Sequence, residues 1–350
     1  MKKWLQIILM GIPLVFLVSQ LFHPIPNGRP YMKSRRTLTP TQNMNVVLDK
    51  IKNGMQEAYS HVLASVKPSS HESIATLEES LMRVMSFNVR CDEEKEEFET
   101  LWDQRKNQVA SVIRFHRVDI AGLQEPFQNQ MEDLKATLSD YDWVGVGLNN
   151  GKDSGPMDAI LYLKSRFEVK ESGNFYLSTT PLVPSIGWDA KFPRGVTWAK
   201  FYDKKSDKTF YVFNTHFDYH GKMSRDESAY LLRGKISQIA KDIPFIVTGD
   251  FNLFPDLGGE ETYRILTQGN EEEGKLLIDA QHIAKYPHHG PTGSWSGFKE
   301  AGQPGVKPDY IFVGESLDVI THGILADCFD EGKFPSDHLP IVADIQLKTP

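Results

Sequence analysis

Eight short apolar runs constrain this chain more than any other feature: RVMSFNV at 83–89, VDIAGLQ at 118–124, DAILYL at 158–163, VTWAKFY at 196–202, TFYVFNTHF at 209–217, PFIVTGDF at 244–251, PDYIFVG at 308–314 and PIVADIQL at 340–347. Their length and their β-branched and aromatic content read as strands. Helical patterns lie between several of them, at 103–116, 128–139, 225–241 and 260–268. Two of the runs nearly touch, at 196–217, while helices separate others. That mixture predicts a mixed sheet arrangement, with helices covering the sheets of one α/β domain over about residues 82–348.

The preceding residues have a different character. Trp4 to Phe22 is an uncharged run of 19 residues after Lys2 and Lys3, close to the roughly 20 residues that cross a bilayer. Residues 1–24 are therefore expected to be a membrane anchor, with a cleaved signal segment as the alternative. Arg29, Lys33, Arg35 and Arg36 outnumber the two leading lysines, so orientation is ambiguous and the positive-inside rule by itself would keep the main domain cytoplasmic. Export is the expectation adopted. Residues 25–81 read as a Pro- and Gly-punctuated linker followed by a helical extension at 43–66.

Composition narrows the function classes. The net charge of -7 argues against a broad nucleic-acid groove, whose footprint is basic. The two cysteines, Cys91 and Cys328, belong to no CxxC or Cys/His cluster, which excludes a structural zinc site of the usual spacing. Whether they bridge is open at this level.

The strand ends carry the chemistry. Asn88, Glu125, Asn214, His216, Asp250 and Asn252 close strands, while Asp309 and the Asp337-His338 pair precede strands. Carboxylates with amide and imidazole partners, and no cysteine, suit a hard cation such as Mg²⁺ bound beside a phosphate. Each residue alone has a plainer account: a turn asparagine, a solvated acid, a hydrogen-bonded core histidine, a capping aspartate. Their recurrence at strand ends is what a site on rigid elements needs.

In order, MSFNVR, IAGLQE, FNTHFD, TGDFN, PDYIFV and SDHLPIVA resemble the motif series of the endonuclease/exonuclease/phosphatase superfamily. WDQRKNQVASVI, YDWVGVG and FYVFNTH look closest to its bacterial metal-dependent hydrolases. The resemblance implies a DNase I-like four-layer α/β sandwich with two packed mixed β-sheets flanked by helices. It implies Mg²⁺ or Mn²⁺ held by Asn88, Glu125 and Asp337. Asp250 would orient or deprotonate the attacking water, Asn252 would support it, His216 and His338 would serve the phosphate and leaving oxygen, and Asp309 would orient His338. Two segments depart from the pattern. Relatives carry an acid just before the strand at 159–163 that supports the first histidine, whereas GPMDAILY offers Pro156, Met157 and then Asp158, which leaves the acid supporting His216 open; SWSGF places Ser294 and Trp295 where a Thr-Phe-His-Gly-Phe-like segment is usual.

Arg194 and Asn214 are further candidates for substrate binding, with a salt bridge as the alternative for Arg194. Trp188 stands on a Pro/Gly-rich loop where it would grip substrate or pack. The HHG run at 288–290 lacks spaced carboxylates, and DSGP at 153–156 lacks the partners of a serine nucleophile. The expected function is metal-dependent hydrolysis of a phosphodiester or phosphomonoester by a monomer, with a lipid headgroup or small molecule favoured over nucleic acid. The alternatives are a DNase I- or exonuclease III-like nuclease and a catalytically inactive, membrane-tethered phosphate-binding module.

Overall fold

The computed structural model describes residues 81–93, 100–299 and 301–348. The expected anchor, linker and helical extension within residues 1–80 lie outside them. Among the described residues no helix is long and apolar enough to cross a membrane.

Two six-stranded mixed sheets form the centre. The first runs β11-β12-β1-β2-β4-β3, built from β1 (Met82–Asn88), β2 (Ile120–Gln124), β3 (Tyr141–Val144), β4 (Asp158–Leu163), β11 (Leu317–Ile324) and β12 (Ile341–Leu347). The second runs β5-β6-β7-β8-β10-β9, from β5 (Phe167–Tyr176), β6 (Gly195–Asp203), β7 (Lys208–His216), β8 (Phe245–Asp250), β9 (Ile278–Asp279) and β10 (Asp309–Val313). The longer helices are α1 (Trp102–Phe115), α2 (Gln128–Thr137), α3 (Lys222–Ala240) and α4 (Gly259–Gln268); the short α5 (Ala280–Ile283) follows β9.

Strand pleating sorts the side chains into layers. On β1, Met82 and Val84 enter the core between the sheets, with Ile120, Phe201, Val212 and Ile311. Met85 and Phe87 point the other way, onto Trp102, Val109 and Met131 of α1 and α2. On the second sheet Phe213, Val247 and Phe312 pack with Leu232 and Ile236 of α3 and Ile265 of α4. The order helix, sheet, sheet, helix is the four-layer sandwich that the motif series implied.

A polar bridge joins the sheets beneath the site. Asn214 donates to Leu123 O and Ala159 O at 2.9 Å, while its Oδ1 accepts from Gln124 Nε2 and Thr248 Oγ1 at 2.7 and 3.0 Å. A Cβ at Gly122 would stand 1.9 Å from Thr248 Oγ1, so only glycine lets the sheets approach here. Asn214 is fully buried with its amide engaged. It ties β7 to β2 and β4, and the expectation that it binds substrate is corrected: a side chain saturated inside the sandwich has nothing to offer a ligand.

His322 on β11 is expected to make the fold acid-sensitive. It is buried, its Nδ1 lies 2.9 Å from His288 Nδ1, and burial first, then Lys307, His288 and His282, hold it down to about 3. The unfolded chain takes this proton near pH 6.5, so stability present above that pH is lost as acidity rises toward 3. Urea midpoints at pH 7.5 and 4.5 are expected to differ less in His322→Gln than in the parent.

Candidate functional site

Strand direction gathers the site. β1 runs parallel to β2, and β7 parallel to β8, so Asn88, Glu125, His216 and Asp250 emerge at carboxyl ends on one edge. The antiparallel neighbours begin there: Asp309 pairs in register with Asp250, and Asp158 with Gln124. Asp337 and His338 precede β12, whose Ile341 pairs with Ser86. A cleft of about 620 Å³ opens over this edge, lined among others by Arg90, Glu125, Arg194, His216, Asp250 and His338.

The side chains interlock. Asn88 Nδ2 donates to Glu125 Oε1 and Asp250 Oδ2, both at 3.0 Å, and its Oδ1 accepts the Arg90 N–H at 3.0 Å. Asn88, expected among the metal ligands, thus braces two carboxylates. Glu125 Oε2 also takes the Cys91 N–H at 3.0 Å. Asp250 Oδ1 accepts the Asn252 N–H, and Asn252 Nδ2 donates to Phe217 O at 2.9 Å and to His216 Nε2 at 3.0 Å. His216 Nε2 is then an acceptor and the ring proton sits on Nδ1, 3.9 Å from Glu125 Oε1.

His338 is held on the other side. Its Nδ1 lies 2.8 Å from Asp309 Oδ2, which also accepts from Ser294 Oγ at 2.6 Å, and its Nε2 is 3.6 Å from Asp250 Oδ2. Trp295 stands edge-on to the imidazole at 4.9 Å. Ser294 and Trp295, the departures noted in sequence, therefore position His338. Asp158 is buried with Oδ2 lacking a hydrogen-bond partner, and burial raises its proton affinity well above the usual carboxylate range.

Three of the eight non-glycine residues with left-handed backbone among the described residues stand at this edge: Arg90, Glu125 and Asn252, with φ of 59°, 74° and 51°. Non-glycine residues persist in such conformations only where their surroundings hold them. All three residues line the cleft.

Electrostatics divide the two histidines. Burial, Arg194, His338 and Arg90 drive His216 well below its usual value, with Glu125 opposing. Burial would also lower His338, but Asp309 and Asp250 raise it well above the ordinary range. One ring is neutral and the other cationic at neutral pH, the separation that acid and base roles require. Asp250 is pushed up to about 7 by burial and by Asp309, against His338, Asn88 and the Asn252 N–H. Burial also opposes the Glu125 charge, yet the Asn88 amide, the Arg90 guanidinium and the Cys91 N–H hold that carboxyl below its usual value. Asp337 is raised, by burial first and then by Glu125.

Two oxygen-rich groups bear on metal binding. Asp250, Asp309 and His338 offer ligand atoms within 4.8 Å of one another. Asp309 Oδ2 is engaged by His338 and Ser294, while its buried Oδ1 has no hydrogen-bond partner. Glu125 and Asp337 face each other across Arg90, whose Nη1 is 3.7 Å from Glu125 Oε2 and whose Nε is 4.0 Å from Asp337 Oδ2. Hard carboxylate oxygens around a cationic centre fit Mg²⁺ or Mn²⁺. The nearby Cys91 thiol is pushed up by burial and supplies no thiolate for a softer ion.

The remaining candidates separate. Arg194 is buried in the cleft wall with its Nε 3.4 Å from Asp218 Oδ2, so the salt bridge holds it where a phosphate can reach it. Trp188 is absent from the cleft lining. Ser154 of DSGP lies in a turn closed by Asn150 Oδ1, and His288 pairs with His322 rather than joining a metal cluster. Cys91 is buried, Cys328 is exposed, and both are free thiols. Sequence reasoning gave no role to Arg90, although it stands inside the MSFNVR motif, and none to Phe192, Tyr219 and Phe254, whose aromatic faces line the cleft.

Comparison with known proteins agrees with this geometry. An endonuclease/exonuclease/phosphatase protein of Bacteroides vulgatus is 36% identical, with a TM-score of 0.70 over 77% of this chain and 99% of that one. A family member from Bacteroides thetaiotaomicron is 33% identical, with a TM-score of 0.71 over 77% and 98%. A mannosyl-6-phosphatase of the same species is 34% identical, with a TM-score of 0.69 over 75% and 99%. The model of the Endonuclease/Exonuclease/phosphatase family matches residues 85–338, which takes in every strand end that builds the cleft. By fold, by motif and by the placing of its polar side chains, the chain belongs to the endonuclease/exonuclease/phosphatase family.

Proposed function

We propose that this protein is a divalent-metal-dependent phosphoesterase that releases phosphate from the monoester of a small, ring-bearing organic molecule by in-line attack of water. The carrying observation is one cleft that holds Asp250 between His216 and His338, with the Glu125–Asp337 carboxylates at its side. Phe127, Phe192, Tyr219, Phe254 and Trp295 line the cleft and suit a ring face. The similarity to a mannosyl-6-phosphatase supports a sugar phosphate.

Glu125 and Asp337 would hold the ion, with Asn88 fixing Glu125. The bound cation would polarise the phosphoryl oxygens and offset charge on the leaving oxygen. Asp250, with a proton affinity near neutrality, accepts the proton of the attacking water. Asn252 fixes Asp250 through its N–H and keeps His216 Nε2 an acceptor, so that His216 presents its Nδ1–H. The His338 cation, oriented by Asp309, directs Nε2–H toward charge forming on the phosphate. Arg194, anchored by Asp218, adds a fixed positive charge to the wall.

A second reading, a phosphate ester with an apolar chain, draws on Leu182, Val183 and Ile186. They stand exposed on the loop that leads to Phe192 and Arg194. An ester panel decides between them: p-nitrophenyl phosphate, bis-p-nitrophenyl phosphate, a hexose 6-phosphate, an octyl phosphate and plasmid DNA. Turnover is expected with monoesters, to vanish in EDTA and to return with Mg²⁺ or Mn²⁺. Metal-independent turnover, or dominant plasmid nicking, refutes the proposal.

A further inference from the structure

A second cavity, of about 370 Å³, opens beside the cleft and shares no lining residue with it. One stretch of chain is divided between the two: Asn252, Phe254 and Leu257 line the cleft, Leu253 and Pro255 the second cavity. Tyr263 of α4 stands on its wall, with Asp279 and Gln281 from the β9–α5 corner and Lys307 from the segment entering β10. The volume falls within the roughly 300–1,000 Å³ of small-ligand sites.

These polar groups take no part in the chemistry of the cleft, and burying a charged pair costs desolvation. The Lys307 side chain is only 12% exposed. Its Nζ lies 4.2 Å from the Tyr310 ring centre, donates to Gln281 Oε1 at 2.6 Å and stands 3.5 Å from Asp279 Oδ2. Asp279 is buried; its Oδ1 accepts the Gln281 N–H at 2.9 Å and its Oδ2 the Tyr263 hydroxyl at 3.2 Å. The Tyr263 oxygen has then given its one proton, so it accepts from His282 Nδ1 at 3.2 Å. Donors and acceptors alternate along the wall.

Charge and shape narrow the ligand. Among the described residues Lys307 is the only lysine or arginine on this wall, and Asp279 matches it; the exposed Glu260 adds a second carboxylate. A phosphate or other anion therefore meets no surplus of positive charge. Asp279 is committed to three donors, so a cation would have to break that network. A neutral molecule rich in hydroxyls suits both halves of the cavity. Its O–H groups extend the chain of donors and acceptors, and its C–H faces lie on Leu253, Pro255 and the tyrosine rings.

We propose that this second cavity binds a neutral sugar or polyol, held by Tyr263, Asp279, Gln281 and Lys307. Such a site stands whatever reaction the cleft performs.

Titration calorimetry of methyl α-mannoside into the full-length protein tests this, because the probe carries no phosphoester and binding is read without turnover. Binding is expected with a Kd of about 1 mM, ordinary for so small a ligand. Gln281→Ala and Lys307→Met are each expected to weaken it about tenfold, the effect of one lost hydrogen bond. Tyr219→Ala, which alters the cleft, is expected to stay within about twofold of the parent, as an independent position does. Gln281 is half-buried and its truncation is expected to leave p-nitrophenyl phosphate turnover and the circular dichroism spectrum unchanged, so a folding failure of Lys307→Met leaves the test intact. Inorganic phosphate is expected not to compete with the glycoside. Absence of binding, equal binding by the parent and a folded Gln281→Ala, or displacement by phosphate overturns the second site, and none of these results bears on the phosphoesterase reading of the cleft.

Discussion

Asp250→Asn is expected to lower kcat/KM by about 100- to 10,000-fold, the range for loss of a positioned general base. The substitution keeps the shape of the side chain and its acceptor for the Asn252 N–H, so the geometry around His216 survives. What disappears is the proton acceptor between the two imidazoles, 3.3 Å from His216 Nε2 and 3.6 Å from His338 Nε2. The fold is expected to persist, because a buried carboxylate whose burial opposes ionisation contributes little to stability. Steady-state kinetics on p-nitrophenyl phosphate, with circular dichroism as the folding control, decide the matter. Turnover within about tenfold of the parent removes Asp250 from the role of base.

Asp309→Asn is the second large effect, with an expected loss of about 100- to 10,000-fold in kcat and a smaller change in KM. Asp309 is fully buried and shares one oxygen between His338 Nδ1 and Ser294 Oγ. Removing its charge takes away the leading cause of the raised His338 proton affinity. The imidazole then becomes neutral at working pH and can turn. Ser294→Ala leaves the carboxylate in place and is expected to cost far less, because it removes one hydrogen bond rather than the charge. A pH–rate profile distinguishes orientation from simple misfolding: a folded Asp309→Asn enzyme is expected to retain activity best toward lower pH, where His338 regains its proton. An unchanged profile contradicts the orienting role.

The eight apolar runs read in sequence are the eight interior strands: β12, β1, β2 and β4 in one sheet and β6, β7, β8 and β10 in the other. The four strands not recognised, β3, β5, β9 and β11, are the four sheet edges. An interior strand is covered on both faces and reads as a continuous apolar run. An edge strand is partly wet, and β5, with FEVKESGNFY largely outside the core, shows no such run.

Local residues by themselves determined the order of the elements, the hard-ion character of the polar groups and the residues at which strands stop. A strand end is marked where burial ceases, and that is a property of neighbouring residues in the chain. Only the tertiary structure decided which of those polar groups share a cleft. Asn214 and His216 are two residues apart, and alternation alone allows either to face a ligand. Packing of the second sheet locked Asn214 between β2 and β4 and left His216 at the open end. Ser294 and Trp295 likewise gained their roles through contacts across long sequence separations, which local pattern does not encode. The physical reason is that a hydrogen bond or ion pair acts over a few ångströms, and the fold alone sets which distant side chains come that close.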